Sequence, residues 1–337
     1  MSEQLFGTLP SGEAIRSYTL FNSKGAELTA INFGATITSL KIPSLEGKTD
    51  VVLGFDTIED YIASQTLPAP PYFGAVIGRY AGRIKGGVFK IGDKEYKLNA
   101  NNNANTLHGG INGFDRVLWQ VTHVGPTAIT FKYHSPDGEE NFPGALDVEV
   151  TYTLTEDNDV IIEYKATSSE DTIINLTQHS YFNLDGPTGN VGDQHLTLNA
   201  DSLLEIDNEN IPTGKIIKAS EKGFDFSQGG NPVYGIDDSF VLRDTSLAAA
   251  VLKSKKTGLQ LLVFSDQPSV HIYVGGNLFG KLKGKDGIAY HTQSGICFES
   301  QNFPDAPNKP DFPNAILKKG DTYRQKTRWH FELDQKA

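Results

Sequence analysis

The chain has 337 residues, 38% of them hydrophobic, and a formal net charge of −11. This is enough to bury a sizeable core, in two ordinary domains or in one large β domain, and we expect a single domain over residues 1–337. The negative charge and the scattered positions of the 30 lysines and arginines argue against a nucleic-acid partner. The longest apolar runs, such as residues 247–252, are far shorter than a membrane span.

The N-terminal residues and the cysteine content bear on the cellular compartment. Residues 1–7 lack the basic start and the apolar stretch of a secretory signal peptide. The single cysteine, Cys297, cannot form a disulfide within the chain, which agrees with a reducing compartment. We therefore expect a cytoplasmic protein.

The sequence predicts one short helix, of one or two turns, over residues 57–64. Asp56 or Thr57 can cap its N-terminus, and Glu59 places an acidic side chain in its first turn. Its length is too small for the crossover helix of a parallel sheet.

Two-residue alternation of apolar and polar side chains predicts three β-hairpins further along the chain. The paired segments are 88–91 with 96–98, 148–154 with 160–166, and 248–253 with 259–264. With 34 glycines and 16 prolines for turns and no strand–helix alternation, the chain is expected to be all-β, a large antiparallel sandwich of two sheets.

Polar, turn-rich segments are where a rigid sandwich carries its binding residues. Five clusters combine ionisable groups with aromatic residues or glycines, a mixture that suits a carbohydrate pocket. They are residues 79–83, 105–110, 177–183, 235–240 and 298–305.

Two residues of these clusters are candidates for catalysis. His179 lies among apolar neighbours, where a polar side chain needs a partner or a function, and Glu299 follows the apolar stretch 296–298 at the end of a predicted strand. Taken alone, each also fits a structural role, as a hydrogen-bonded core histidine and as an edge-strand charge. Asp237 and Asp238 likewise fit an ordinary turn.

Together and in this order, the five clusters resemble the signature of the aldose 1-epimerase (galactose mutarotase) family over nearly the whole chain. Four further stretches are also similar to the family, namely residues 32–36, 52–55, 113–115 and 211–214. The resemblance implies a large β-sandwich with a cleft for a hexopyranose or pentopyranose, and no metal or organic cofactor. It implies a monosaccharide as partner, and we expect a monomer or a homodimer.

By position, Glu299 matches the family's general base and His179 its general acid. Arg83, His108 and Asp237 match its substrate-contacting residues. Ring opening of a cyclic hemiacetal needs such a pair, because one proton leaves the anomeric hydroxyl and another reaches the ring oxygen.

Two further contacts are our own additions to the resemblance. We expect Tyr181 or Phe182 to offer an aromatic face to the sugar, and Gln301 to offer a hydrogen bond. We also expect Asp237 or another carboxylate to hold His179 protonated.

Two positions depart from most relatives, which carry asparagine where this chain has Gly82 and Gln178. We therefore expect a substrate hydroxyl contact to be lost or moved. This departure leaves the preferred sugar open.

Four other functions compete with this interpretation. A glycoside hydrolase would use Glu299 and Asp237 as its carboxylate pair, and a sugar-binding module would share the fold without catalysis. A metal enzyme would use His108, His179 and a carboxylate, although tight histidine spacings are missing. A phosphosugar epimerase would need a basic pocket, to which Arg79 near Arg83 is suited.

Overall fold

The computed structural model describes residues 1–277, 280 and 283–334, in which β-strands are the main regular secondary structure. The strands are β1 (Ser2–Thr8), β2 (Ala14–Phe21), β3 (Glu27–Ile31), β4 (Ile37–Ser44), β5 (Gly47–Asp50), β6 (Val76–Ile77), β7 (Arg83–Ile84), β8 (Val88–Ile91), β9 (Lys94–Lys97), β10 (Thr106–Leu107), β11 (Gln120–Val124), β12 (Ala128–Ser135), β13 (Leu146–Leu154), β14 (Asp159–Ser168), β15 (Thr172–Ile173), β16 (Thr177–Gln178), β17 (Tyr181–Phe182), β18 (His195–Leu198), β19 (Ser202–Ile206), β20 (Pro212–Lys218), β21 (Asp237–Val241), β22 (Ala250–Lys253), β23 (Leu259–Ser265), β24 (Ser269–Val274), β25 (Ile296–Gln301), β26 (Ile316–Leu317) and β27 (Thr322–Leu333).

The helical segments are short. The α-helix α1 spans Ile58–Ser64, and Thr57 caps it by accepting a hydrogen bond from the Asp60 backbone N–H at 3.2 Å, as the sequence predicts. Single 3-10 turns are formed by Lys85–Gly87, Phe114–Arg116, Glu139–Asn141, Val191–Asp193, Ala219–Lys222, Lys285–Gly287 and Ala306–Asn308. In the described ranges, no helix has the length and apolar character needed to cross a membrane.

Three antiparallel sheets make up most of the fold. The largest has the strand order β11-β12-β13-β14-β27-β23-β22-β18, the second β17-β25-β24-β21-β19-β20, and the third β1-β2-β3-β4-β5. The predicted all-β antiparallel class is therefore confirmed, with the N-terminal five-stranded sheet as an addition. All three predicted hairpins are present, as the pairs β8–β9, β13–β14 and β22–β23.

Side-chain alternation decides which residues enter the core. Along β13 the residues Val148, Val150 and Tyr152 are fully buried, and their neighbours in between are partly exposed. They join Phe240, Ile272 and other residues of the six-stranded sheet in one large hydrophobic cluster. This cluster lies on one face of the six-stranded sheet, which leaves the opposite face for other contacts.

Strand β25 is buried on both of its faces. Ile296 and Phe298 belong to the large hydrophobic cluster. Because side chains alternate along a strand, Cys297, Glu299 and Gln301 point to the opposite face. Here the chain places two polar side chains in a buried setting, which is where a site is expected.

Candidate functional site

A pocket of about 280 Å³ lies on this opposite face of the six-stranded sheet. Strands β21, β24 and β25 form its floor, and segments from several other parts of the chain form its walls. Every predicted site residue lines it, namely Arg83, His108, His179, Tyr181, Asp237, Glu299 and Gln301. Its volume is close to the lower end of the range for small-ligand pockets, roughly 300–1,000 Å³.

Glu299 and His179 lie side by side and are almost fully buried. Nε2 of His179 is 3.6 Å from Oε1 of Glu299, and the side chains are 5% and 2% exposed. The second carboxylate oxygen, Oε2, has no hydrogen-bond partner among the described residues, and the same is true of Oε1 of Gln301. Since buried polar atoms in folded proteins are nearly always paired, these two oxygens are suited to accept hydrogen bonds from a ligand.

Aromatic rings and a thiol hold the imidazole of His179 in place. Its ring stacks between Tyr181, at a centroid distance of 5.2 Å, and Tyr72, at 5.6 Å. Its Nδ1 is 3.6 Å from Sγ of Cys297. Only Nε2 is left to face Glu299 and the pocket.

Burial lowers the pKa of His179, and the nearby negative charge of Glu299 opposes this without reversing it. The charges of Glu299 and Asp237 favour the protonated form of His179, as expected, and burial disfavours it. Asp237, named for that role, hydrogen-bonds to another histidine, His271. A lowered pKa makes the imidazolium a stronger acid once it forms.

His108 presents a defined tautomer to the pocket. The backbone N–H of Gly82 donates a hydrogen bond to Nδ1 of His108 at 3.2 Å, so Nδ1 carries no proton. Burial, with the charges of His179 and Arg83, holds the pKa of His108 well below its ordinary value. His108 is thus a neutral residue whose Nε2–H is the available donor.

Glycine residues let the His108 loop approach the rest of the wall. Gly109 has φ +94°, and a Cβ there would lie 1.9 Å from the carbonyl oxygen of Gly78. Any other residue at position 109 would displace the loop.

Asp237 accepts hydrogen bonds at both carboxylate oxygens. Nε2 of His271 lies 2.9 Å from Oδ1, and the amide of Asn210 donates to Oδ2 at 3.2 Å. Burial by itself would raise the pKa of Asp237, but the hydrogen bond and charge of His271 outweigh it and lower the pKa. Asp237 is therefore an ionised acceptor.

Of the remaining residues predicted to contact the sugar, some line the pocket and one lies in the hydrophobic core. Arg83 lines the pocket, with its Nε donating to Asn102 at 3.2 Å. Tyr181 also lines it, whereas Phe182, the alternative aromatic residue, packs against Trp329 in the core at 4.8 Å. The Phe182 alternative is wrong because adjacent residues of β17 point to opposite faces.

Three polar residues of the clusters serve the fold. Arg79 is 2% exposed and donates to Ser135 and to the carbonyl oxygens of residues 135, 136, 143 and 144. Gln178 is buried and bonds to the carbonyl of Gly74 and the N–H of Ser180. Asp238 pairs with Lys222. Gln178 is thus engaged by backbone groups, and its effect on a sugar contact stays a prediction, whereas Arg79 is unavailable to a phosphate.

Among the pocket residues that the sequence analysis did not name as site residues are Tyr72, Ser239, His271 and Tyr273. His271 and Tyr273 alternate with the apolar residues Val270 and Ile272, so the signal for their facing away from the core is present in the sequence. Tyr72 has φ +54°, which no pattern of residue types indicates.

His108, His179 and Glu299 are grouped closely enough to hold a metal ion, since each offers a ligand atom within 4.8 Å of the others. The protonation of His108 argues against this use. A histidine that binds a metal through Nε2 normally donates its Nδ1–H to an acceptor. Here Nδ1 faces a donor, the N–H of Gly82. The group is better suited to hydrogen-bonding a neutral ligand.

Comparison with protein families shows to which family the chain belongs. The family model for aldose 1-epimerase matches residues 16–330. The chain belongs to the aldose 1-epimerase family. All five polar clusters that carry the resemblance lie inside the matched range.

Individual members of the aldose 1-epimerase family are similar over their full length. Galactose mutarotase from Mus musculus is 41% identical over 99% of both chains, and that from Homo sapiens is 40% identical over 99% of both. Aldose 1-epimerase from Escherichia coli is 33% identical over 96% of both. Among solved structures, an aldose epimerase homologue from C. elegans has a TM-score of 0.87 at 31% identity, covering 94% of this chain and 99% of its own.

Proposed function

We propose that the pocket binds a free aldopyranose and that Glu299 and His179 interconvert its α and β anomers. Membership of the aldose 1-epimerase family supports an isomerase acting on carbohydrates. The observation that carries the assignment of the two residues is the 3.6 Å separation between Nε2 of His179 and Oε1 of Glu299 inside a buried pocket.

The distance suits the chemistry of the hemiacetal. The anomeric hydroxyl and the ring oxygen are bonded to the same carbon, so the base and the acid must act on neighbouring atoms. Glu299 takes the hydroxyl proton while the imidazolium of His179 protonates the ring oxygen, and the C1–O5 bond breaks to give the open aldehyde.

The pair carries one transferable proton before and after ring opening. After rotation about the C1–C2 bond, the protonated Glu299 returns a proton to the aldehyde oxygen. The neutral His179 takes the proton of the C5 hydroxyl as the ring closes on the other face. The reaction consumes no other reactant, and the net charge of Glu299 and His179 together is unchanged throughout.

Three further side chains are suited to hold the sugar. Asp237 is an ionised acceptor, His108 a neutral donor and Arg83 a charged donor, so together they can bind several hydroxyl groups in one orientation. Such positioning keeps C1 next to the acid–base pair through the rotation step.

The competing functions lack comparable support. A glycoside hydrolase would need a protonated carboxylic acid, whereas the pKa of Asp237 is lowered. A phosphosugar epimerase would need a second cation, but Arg79 is engaged with backbone carbonyls outside the pocket.

Polarimetry tests the proposal. The purified protein should accelerate the change in optical rotation of freshly dissolved α-D-glucose, α-D-galactose or α-D-xylose, and a 6-phosphosugar should not be preferred. Glu299→Gln should reduce the rate by about 10² to 10⁴, whereas Glu163→Gln, an exposed carboxylate on β14, should leave it unchanged. More than about a tenth of the wild-type rate in Glu299→Gln would refute the role of the base.

A further inference from the structure

We propose that His271 is a positioning residue of this site, which holds Asp237 in the orientation and charge state that a sugar hydroxyl requires. The inference rests on the proposed function. It starts from the register of three neighbouring strands, in which Ser239 of β21 is opposite His271 of β24, and His271 is opposite Glu299 of β25.

Opposite residues in adjacent antiparallel strands share a face and have Cβ atoms about 4.5–5.5 Å apart. The imidazole of His271 therefore has Glu299 as its neighbour on one side and Ser239 on the other. From this position it also reaches Asp237, whose Oδ1 is 2.9 Å from Nε2. His271 thus lies between the two carboxylates of the pocket.

The hydrogen bonds of His271 allow its ring to be charged without a lost contact. Since the carboxylate of Asp237 only accepts, Nε2 carries a proton in both charge states. Nδ1 lies 2.9 Å from Oγ of Ser239, and a serine hydroxyl can either donate to a neutral ring or accept from a charged one. The proton that titrates is therefore the one on Nδ1, and both ring nitrogens keep a hydrogen-bond partner in the neutral and in the charged state.

Carboxylates are the largest charged group around His271. The groups that act on it or on its partner are Asp237 and Asp238 of β21, Glu299 of β25, His179 and His108 of the walls, and Arg83 of β7. Burial would lower the pKa of His271, but the bond to Asp237 and the charges of Glu299, Asp237 and Asp238 raise it above its ordinary value. Below that pKa the ring is an imidazolium.

The charge of His271 beside Asp237 has a consequence for substrate binding. An imidazolium keeps Asp237 ionised and fixed beside Glu299, which would otherwise repel it. When His271 loses its proton, two carboxylates share the pocket without a compensating charge between them, and a sugar hydroxyl meets a less ordered acceptor. His271 acts through Asp237, so its loss should affect binding more than the chemical step.

The test compares His271→Gln with the wild type over pH 5.5–9. His271→Gln keeps a donor for Asp237 but removes the charge. Its KM should be about tenfold higher at pH 6 and nearly independent of pH, with kcat within about threefold of wild type, whereas the wild-type KM should rise as His271 loses its proton. The exposed His123→Gln is the matched control and should behave as wild type. Wild-type KM values and pH dependence in His271→Gln would overturn the proposal.

A second measurement is independent of activity. Histidine ring resonances in NMR should show His271 titrating above pH 6.5, and Asp237→Asn should lower that midpoint. An unchanged midpoint in Asp237→Asn would overturn the proposal even if His271→Gln failed to fold. If the wild type does not accelerate mutarotation, the proposed function fails, and the NMR titration still decides whether His271 and Asp237 form a charged pair.

Discussion

In the pocket, Nε2 of His179 faces Oε1 of Glu299 at 3.6 Å, while the opposite ring nitrogen faces the thiol of Cys297. The two catalytic candidates are thus oriented by neighbours on their own sheet face. A sugar whose C1 lies beside this pair presents its anomeric hydroxyl and its ring oxygen to a base and an acid at once.

Replacing His179 with asparagine should remove the acid and preserve much of the pocket shape. We expect kcat to fall by about 10² to 10⁴ with a much smaller change in KM, because the interaction is made mainly in the transition state. Coupled assay of mutarotation gives both constants. A rise in KM with kcat preserved would contradict the role of His179 as the acid.

Gly82→Ala should disturb the tautomer of His108. Gly82 has φ +81°, and a Cβ would lie 2.9 Å from the ring of Pro304, so the backbone N–H that bonds to His108 must move. We expect KM to rise at least about fivefold. Gly92→Ala is the control, because Gly92 also has positive φ but its Cβ would meet open space. Equal effects of the two variants would show that strain alone is responsible.

The half-buried, neutral state of His108 predicts a loss of stability in acid. Its pKa is well below the unfolded value of about 6.5, so the unfolded chain binds more protons as the pH falls below 6.5. His108→Asn keeps an acceptor for Gly82 but does not titrate. Its Tm should fall less than that of wild type between pH 7 and 5, whereas exposed His123→Asn should follow the wild type. Parallel Tm curves would contradict this account.

Metal removal should leave the enzyme active. The Nδ1 of His108 accepts from Gly82, which is unfavourable for metal binding through Nε2. We expect dialysis against EDTA to leave the mutarotation rate within experimental error, and added Zn²⁺ not to raise it. Loss of activity in EDTA that is restored by Zn²⁺ would show that His108, His179 and Glu299 hold a metal.

Arg79→Met should be destabilising because its guanidinium satisfies four carbonyl oxygens, three of them in buried hydrogen bonds. Unsatisfied buried polar groups cost roughly 1–3 kcal/mol each, so we expect the free energy of unfolding to fall by at least about 3 kcal/mol. Urea denaturation measures the change. The exposed Arg324→Met on β27 is the control, and equal stability of the two variants would argue against a structural role for Arg79.

The sequence predicts the elements better than their contacts. Alternation is local, so the hairpin of β13 and β14 is visible in residue types alone. The resemblance names Glu299 and His179, which the fold brings together across 120 positions. The tautomer of His108 and the engagement of Arg79 depend on backbone groups that have no residue-type signature. The single domain, the cytoplasmic location and the monomer or homodimer stay predictions.

The alternation along β25 has a consequence for how this enzyme can diverge. Phe298 and Glu299 are adjacent, yet one belongs to the core and the other to the pocket. A slip of one residue in the pairing with β24 would exchange them. The register that buries Phe298 in the core therefore also places Glu299 in the pocket. Substitutions at His271 and Gln301, which face the pocket, can therefore retune sugar preference while the hydrophobic packing on the other face stays as it is.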